Sequence, residues 1–351
     1  MRIDMNASEG RYMQSVNSQV TPVTLNQRGA AHISIMRLDH SIKNVFVLPG
    51  IFLPLLVEHI AARELFLRLI IGFAAVTLIA CSNYVINELL DAPFDRLHPK
   101  KKMRPAARGL VNPTAAYIQW IGMMVIGLIL ARQISWEFFL SAAALWIMGC
   151  IYNIPPIRAK EVPYVDVLTE SINNPLRMLL GWYMVTSVIR PPISLLMAYW
   201  MIGAYFMAIK RFSEYRQMGA ATAGSYRRSF TVYTEQSLLI SVIAYASTSM
   251  LFLGAFAARY HIELLLSFPA IGILMAIYFQ MGFAHDSAVQ NPEKLYKEKK
   301  LLIPLVISIV LMAVLLSIRI PRMDKWFSPT QEIMEHQVLT TGRGTGIQSV
   351  H

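Results

Sequence analysis

Nine long apolar stretches run through this sequence of 351 residues, and they constrain its fold more than any other feature. Each is about 18–25 residues long, which as a helix crosses a hydrocarbon core of about 30 Å. An open sheet is excluded because lipid offers no partners for its unpaired backbone groups. The stretches lie near residues 44–61, 66–90, 114–131, 134–152, 166–187, 193–211, 236–257, 263–283 and 301–320. The sequence therefore predicts an all-α polytopic membrane protein with nine transmembrane helices.

The composition agrees with this prediction. Only 15% of the residues are charged, whereas a soluble domain has about 25%. The hydrophobic fraction is 55% and the mean hydropathy is +0.45, which argues against a soluble enzyme, a disordered chain or a fibrous repeat. The two cysteines, Cys81 and Cys150, both lie in apolar runs, so neither a disulfide framework nor a zinc site is expected.

The basic residues predict the orientation. With nine spans, the N-terminal face carries 22 Lys and Arg residues and the opposite face carries nine. The positive-inside rule then places the N-terminus in the cytoplasm and the C-terminus outside the plasma membrane. The net charge of +11 is thereby explained without a nucleic-acid partner. We expect residues 1–40 to be a flexible cytoplasmic tail with a short interfacial helix near residues 33–38, residues 41–320 to be the helical domain, and residues 321–351 to be a disordered tail.

A polar stripe marks the end of the second stretch. Asn83, Asn87, Asp91 and Asp95 are four residues apart, which places them along one side of a helix. Pro93 is expected to end that helix and to leave Asp95 at its mouth. Two carboxylates in an apolar helix repel each other, and a divalent cation removes that penalty. Amide and carboxylate oxygens favour Mg²⁺ held by Asn87, Asp91 and Asp95. The alternative is a solvated helix end without metal.

A basic segment follows the stripe directly, from Arg96 to Arg108, and includes Arg104. A cytoplasmic basic loop is also expected as a topology signal, so its charge alone is weak support. Its position beside the carboxylates is more informative. Metal ions next to cations are what a departing diphosphate requires, because its charge must be neutralised.

The fifth stretch carries a polar face made of Asp166, Glu170, Asn173, Asn174 and Arg177. Their offsets of 0, 4, 7, 8 and 11 residues follow the helical period. Membrane helices rarely carry so many polar residues on one face unless it lines a cavity. The alternative is an internal salt bridge or hydrogen bond, from Glu170 to Arg177 or Asn174, that only joins helices.

Two further polar clusters lie on the same predicted face of the membrane. One follows the fourth stretch, where a Pro-Pro turn carries two cations, and the other ends the sixth stretch. The second cluster contains Lys210 and Glu214, four residues apart on a helix. They could form a plain surface pair, or they could make a second phosphate or metal contact. The candidate residues are Tyr152, Arg158, Lys160, Lys210, Arg211 and Glu214.

The stripe reads Asn87-Glu88-x-x-Asp91-x-x-x-Asp95 and resembles the first signature of the UbiA superfamily of intramembrane prenyltransferases, with Glu88 at a usual Asp. The resemblance covers roughly residues 37–320. It implies nine transmembrane helices around a central cavity and a diphosphate bound through Mg²⁺. The second family signature, Asp-x-x-x-Asp, is absent, and Lys210-Arg211-x-x-Glu214 stands in its place.

Several details are similar to one branch, the decaprenyl-phosphate phosphoribosyltransferases. They are Lys43-Asn44, Arg104-Pro105, Leu176-Arg177 and Lys210-Arg211-x-x-Glu214. In that branch phosphoribosyl diphosphate is the donor and a polyprenyl phosphate is the acceptor. The segment from Tyr152 to Lys160 looks more like the prenyl-transferring members. Prenyl transfer, phosphoribosyl transfer and, from another class, membrane transport therefore remain open.

The resemblance implies a role for each candidate residue. Asn87, Asp91 and Asp95 would hold Mg²⁺-diphosphate, and nearby cations would bind its oxygens. Glu170 or Asp166 would orient or deprotonate the acceptor, and a polyprenyl diphosphate or polyprenyl phosphate would enter from the bilayer. The cations are Lys43, Arg104, Lys210 and Arg211; the other substrate-binding candidates are Tyr152, Arg158, Lys160, Asn173, Asn174, Arg177 and Glu214.

Overall fold

The computed structural model describes residues 24–327, apart from 57, 59, 97–100, 220–222, 225–226, 286, 291–294 and 296. Most of the two predicted tails, residues 1–23 and 328–351, therefore lies outside the described residues. Within the described ranges the regular structure is helical throughout. The α-helices are α1 (Leu25–Ser34), α2 (Leu48–Leu55), α3 (Ala62–Asp95), α4 (Pro113–Ile134), α5 (Trp136–Asn153), α6 (Val165–Ser171), α7 (Asn173–Val185), α8 (Ile193–Met218), α9 (Glu235–Tyr260), α10 (Phe268–Met281), α11 (Lys299–Ser317) and α12 (Pro321–Phe327).

Six of the described helices are long and apolar enough to cross a membrane. They are α3, α4, α8, α9, α11 and α10 together with the 3₁₀ turn that precedes it, Ile262–Ser267. The all-helical membrane character is thus confirmed, whereas the count of nine spans stays a prediction. The predicted stretch 166–187 is broken at Ile172 into α6 and α7, and the stretch 44–61 contains the end of the 3₁₀ segment Leu38–Val47 and the short helix α2.

Local sequence signals explain several helix boundaries. Asn112 caps α4 by accepting from the backbone N–H of Ala115, and Pro113 follows at the first helical position. Pro93 does not end α3 as expected, because the helix continues to Asp95. A proline fixes a φ angle that a helix accepts and lacks only one donor, so a last turn can form around it.

The N-terminal segment is packed against the helical domain. Helix α1 runs from residue 25 to residue 34 rather than near residues 33–38, and Ile35 after it is fully buried. Ile35 belongs to a cluster with Cys81 and Val85 of α3. His32 also contacts Gln119 of α4 at 3.0 Å. The described packing therefore begins with α1, ahead of the predicted boundary at residue 41.

A close helix crossing brings α2 against α7. A Cβ atom on Gly50 would lie 1.9 Å from the carbonyl oxygen of Met178, and one on Gly181 would lie 2.1 Å from that of Val47. The two backbones therefore meet where only glycine fits. This crossing places the 3₁₀ segment Leu38–Val47, which carries Lys43, beside the helix that carries Arg177.

Candidate functional site

A polar cavity of about 200 Å³ lies where α3, α5, α6, α7, α8 and the N-terminal segment meet. One ordered water needs only about 10–15 Å³ on such a measure, so the cavity admits a phosphorylated group with its hydration. Nine Lys and Arg residues line it, together with three carboxylates. The cations are Arg37, Lys43, Lys101, Arg104, Lys160, Arg177, Lys210, Arg211 and Arg227, and the carboxylates are Asp91, Glu170 and Glu214.

Most of the candidate residues from distant parts of the sequence come together here. Those that line the cavity are Lys43, Asn87, Asp91, Arg104, Tyr152, Lys160, Glu170, Asn173, Arg177, Lys210, Arg211 and Glu214. Four other candidates do not line it, namely Asp95, Arg158, Asp166 and Asn174. The convergence of α3, α7 and α8 on one cavity is the geometry that a shared site requires.

Asp91 is the carboxylate of the stripe that reaches the cavity. It accepts from Arg158 at 3.0 Å and from Lys160 at 2.5 Å, two cations of the loop after α5. Burial lowers the pKa of Lys160 to about 8, although Asp91 acts in the opposite direction. Arg158 also lies over the ring of Phe94, 4.9 Å from its centroid. Asp91 is therefore neutralised by two cations that an incoming anion can attract.

Asp95 is not among the residues that line the cavity, and its role as a metal ligand stays a prediction. It is 4% exposed and accepts from Arg104 at 2.6 Å. Steps of four residues rotate about 40° each around a helix, so Asp95 lies about 120° from Asn83. The stripe is thus a spiral, and its last member faces the basic segment that follows α3. About two turns earlier, buried Glu88 pairs with Arg37 at 3.3 Å.

The asparagines of the stripe hold α3 against α5. Asn83 donates to the carbonyl oxygen of Leu145 at 3.0 Å, and Asn87 donates to the side chain of Asn153. Gly149 makes room for Asn83, because a Cβ atom there would lie 2.1 Å from the Asn83 carboxamide. The Oδ1 atom of Asn83 is buried and has no hydrogen-bond partner among the described residues.

The oxygen donors suit a magnesium ion only in part. Among the described residues no group of three or more His, Cys, Asp or Glu side chains could hold a metal ion. Asp91, Asn87 and the unpartnered oxygen of Asn83 nevertheless line one wall of the cavity. Mg²⁺ commonly takes only one or two protein carboxylates and completes its shell with waters and phosphates. This donor set fits that pattern.

Asp166 does not line the cavity, and its role toward an acceptor stays a prediction. It is fully buried and accepts from Arg211 at 2.9 Å and from the hydroxyl of Tyr233 at 2.6 Å. Arg227 lies 3.5 Å from the same carboxylate oxygen that Arg211 contacts. A carboxylate with these partners holds cations in place. The predicted polar face is not one continuous helical face, because the stretch is broken at Ile172 and Asp166 contacts α8.

Arg227 is a cavity residue that sequence reasoning missed. It donates to the carbonyl oxygen of Lys160 at 2.7 Å and to the hydroxyl of Tyr152 at 3.0 Å. Arg211 reaches the same hydroxyl at 3.3 Å and donates to Glu214 at 2.7 Å. A lone arginine in a loop shows no periodic pattern, so only the fold reveals its place. Arg37 and His40 of the N-terminal segment were missed for the same reason.

The fifth predicted stretch contributes a separate wall. Glu170 faces Lys43 at 3.7 Å rather than Arg177 or Asn174, so the internal salt bridge considered from sequence does not form. Asn174 packs against α8, where its amide nitrogen would lie 2.2 Å from a Cβ atom on Gly203. The break after Ser171 rotates this asparagine out of the cavity.

Comparison with known proteins adds the family. The family model described as UbiA prenyltransferase family matches residues 46–319. This chain belongs to the UbiA prenyltransferase family. The resemblance carried by the Asn87–Asp95 signature is therefore confirmed. A structure of a UbiA homolog from Archaeoglobus fulgidus bound to GPP and Mg²⁺ matches with a TM-score of 0.62 and 18% identity, over 82% of this chain and all of that one. The fold is thus the UbiA fold.

Curated relatives match over shorter lengths. A lycopene elongase/hydratase from Haloferax volcanii is 29% identical over 52% of this chain and 60% of its own length. A decaprenyl-phosphate phosphoribosyltransferase from Mycolicibacterium smegmatis is 27% identical over 48% of this chain and 51% of its own. This UbiA family member thus spans about half to three fifths of these two relatives.

Proposed function

We propose that this UbiA family member is a Mg²⁺-dependent intramembrane transferase that takes its group from a diphosphate donor and acts with a polyprenyl lipid. The observation that carries the proposal is the surplus of cations in one cavity of a membrane protein: nine cations line it, and they face three lining carboxylates and three more, Glu88, Asp95 and Asp166, that pair with lining arginines from outside. Uncompensated charge next to lipid is unfavourable, so the cavity is built for a polyanion. The homolog structure with GPP and Mg²⁺ supports the same substrate chemistry.

Asn87 and Asp91 would hold the metal, with Asn83 as a further oxygen donor. When bound, the metal would neutralise charge on the departing diphosphate. Arg158 and Lys160 would move from Asp91 to the diphosphate oxygens, which frees the carboxylate. Asp95 would act indirectly, because it holds Arg104 at the edge of the cavity.

Glu170 is the residue that would act on the acceptor. It is the cavity carboxylate on the wall opposite Asp91, and Lys43 at 3.7 Å is its ion-pair partner in the described structure. It would orient the acceptor or accept its proton. In the reaction the carbon–oxygen bond between donor and diphosphate breaks, a bond from that carbon to the acceptor oxygen or carbon forms, and diphosphate leaves with the bonding electrons. Asp166 would position Arg211 throughout.

Two donors fit this chemistry. A prenyl diphosphate would react through an allylic cation, and the family and the elongase relative support it. Phosphoribosyl diphosphate would react through an oxocarbenium ion toward a polyprenyl phosphate. The buried guanidinium of Arg177, whose Nε atom has no hydrogen-bond partner among the described residues, favours the second donor, because a phosphate-bearing acceptor would supply one. The phosphoribosyltransferase relative supports it as well.

A labelling experiment separates the two. Membranes that contain the full chain would receive radiolabelled prenyl diphosphate or radiolabelled phosphoribosyl diphosphate, each with Mg²⁺ or with EDTA. We expect Mg²⁺-dependent transfer of one label into the lipid fraction. The label that enters identifies the donor. If neither label enters lipid, while reconstituted liposomes show flux of an unconverted solute, the chain is a transporter and the proposal is wrong.

The predicted orientation belongs to the same proposal. The site's cations lie on the face that the positive-inside rule assigns to the cytoplasm of the plasma membrane, with the C-terminus outside. An exposed residue tests each face. Lys102→Cys should react with a membrane-impermeant thiol reagent only from the cytoplasmic side, and Arg190→Cys only from the outside. The reverse labelling would overturn the orientation.

A further inference from the structure

Five of the nine cations of the cavity fall into two groups according to their carboxylate partners. One group is paired closely: Arg104 with Asp95, and Lys160 with Asp91, at 2.6 and 2.5 Å. The other group consists of Lys43, Arg177 and Lys210, and we call it the Arg177 set. Its members come from the N-terminal segment, α7 and α8, and all three line the cavity.

Arg177 is a buried guanidinium that forms no ion pair with any described residue. It is 7% exposed, and its Nε atom has no hydrogen-bond partner among the described residues. Its Nη1 atom reaches only the carbonyl oxygen of Asn173, one turn back, at 3.4 Å. A buried charge is normally paired and fully hydrogen-bonded, so this side chain is incomplete in the protein alone.

The other two cations increase the imbalance. In the part of the chain that the structure describes, Lys210 forms no ion pair within 4.0 Å. Lys43 faces Glu170 at 3.7 Å and also feels the positive charges of Arg177 and Lys210. The three cations face two carboxylates, Glu170 and Glu214, and Glu214 is already paired with Arg211 at 2.7 Å, so positive charge remains in surplus. A phosphate monoester carries between about −1.5 and −2 at neutral pH and would offset that surplus.

The surroundings indicate where the rest of the ligand lies. The Oδ1 atom of Asn173 is buried, lacks a partner among the described residues, and can accept from a hydroxyl or a protonated phosphate oxygen. Leu176 and Met178, on either side of Arg177, pack into hydrophobic clusters and do not line the cavity. The cavity at the Arg177 set thus combines cations with one unpartnered acceptor.

We propose that the Arg177 set is a metal-independent subsite for a phosphate monoester, separate from the diphosphate site at Asp91. This inference rests on the proposed function and deepens it, because it adds a second phosphorylated group and assigns Lys43 and Lys210 to that group. The monoester could be the headgroup of a polyprenyl phosphate or the 5-phosphate of phosphoribosyl diphosphate.

Binding without metal tests the subsite. The full chain in nanodiscs, with EDTA, would be titrated with farnesyl phosphate, farnesol, ribose 5-phosphate and inorganic phosphate. We expect a phosphate-bearing probe to bind and farnesol to bind much more weakly. Arg177→Gln and Lys210→Gln should each weaken phosphate binding at least about tenfold, since each removes a charged hydrogen-bond donor. Arg228→Gln, an exposed arginine outside the cavity, is the matched control.

The outcomes are separable. Tighter binding of farnesyl phosphate assigns the subsite to the lipid, and tighter binding of ribose 5-phosphate assigns it to the donor; both support the phosphate subsite. Equal binding of farnesyl phosphate and farnesol, or unchanged binding in folded Arg177→Gln and Lys210→Gln proteins, would overturn it. Elution volume and unfolding temperature report folding. Asp91→Asn should bind the monoester normally without metal, so a failure of the diphosphate proposal leaves this result intact.

Discussion

The end of α3 and the end of α8 face the same cavity, but they handle charge differently. At the end of α3, Asp91 is partly accessible and its cations come from a separate loop. Near the end of α8, Arg211 pairs with Asp166, whose side chain is fully buried. The first arrangement can exchange its cations for a metal, whereas the second holds positive charge permanently.

The difference follows from burial. An ion pair at a cavity wall can be opened, since solvent or an incoming ligand replaces each partner. A fully buried pair cannot be opened without leaving an uncompensated charge. The two helix ends therefore differ in the role that we propose for them: the α3 end would bind metal, and the α8 end would bind anions directly.

The largest effect should come from Asp91→Asn at the α3 end. Turnover in the labelling assay should fall by more than about 10²-fold, because the charged metal ligand is lost. The protein should still fold and insert. Asp39→Asn, which removes a carboxylate that is 71% exposed, is the control and should keep wild-type turnover. Near-normal turnover of Asp91→Asn would remove Asp91 from the metal site.

Breaking the ion pair between Arg211 of α8 and Asp166 should reduce the stability of the fold. Arg211→Met leaves Asp166 buried without its main cation and should lower the free energy of unfolding by about 3–5 kcal/mol. Arg216→Met, on the same helix, removes an exposed pair with Glu235 at 3.4 Å and should lower it by less than about 1 kcal/mol. Denaturation of both variants in detergent measures the contrast. Similar losses would erase the distinction between the two regions.

The pH dependence of donor binding should report the protonation of Lys101, which lines the same cavity. Burial lowers its pKa to about 8, with Arg104 and Arg227 acting in the same direction and Glu214 and Asp95 opposing. Lys101 is charged below pH 8 and becomes neutral above it, so the KM of an anionic donor should rise as the pH increases through 8. In Lys101→Arg, which stays charged, this rise should move to higher pH. An unchanged profile would assign it to another group.

The smallest effect is expected from Glu214→Gln. If the α8 end binds anions without metal, this change should alter the half-saturating Mg²⁺ concentration by less than about twofold, although donor binding changes. A magnesium titration of turnover measures it. A large increase in the Mg²⁺ requirement would instead place a second metal at Glu214 and make the two regions alike.

The sequence predicted much of the fold and part of the site. The apolar stretches predicted membrane helices because helix formation in lipid is a local requirement that each segment satisfies by itself. The spacing from Asn83 to Asp91 correctly predicted a stripe on one helix. The same spacing was misleading for Asp95, since the drift of about 40° per four residues accumulates and turns it toward Arg104.

Only the tertiary structure decided which charges meet. Arg158 and Lys160 reach Asp91 across more than sixty residues, and Arg227 reaches Tyr152 across 75. Such pairings depend on how helices cross, as at Gly50 and Gly181, and no local pattern encodes them. The sequence alone thus determined a helical membrane protein with acidic and basic helix ends, because periodicity and hydrophobicity are properties of single segments. The division into paired and unpaired cations arose from packing, because the energy of a charge depends on its neighbours in space.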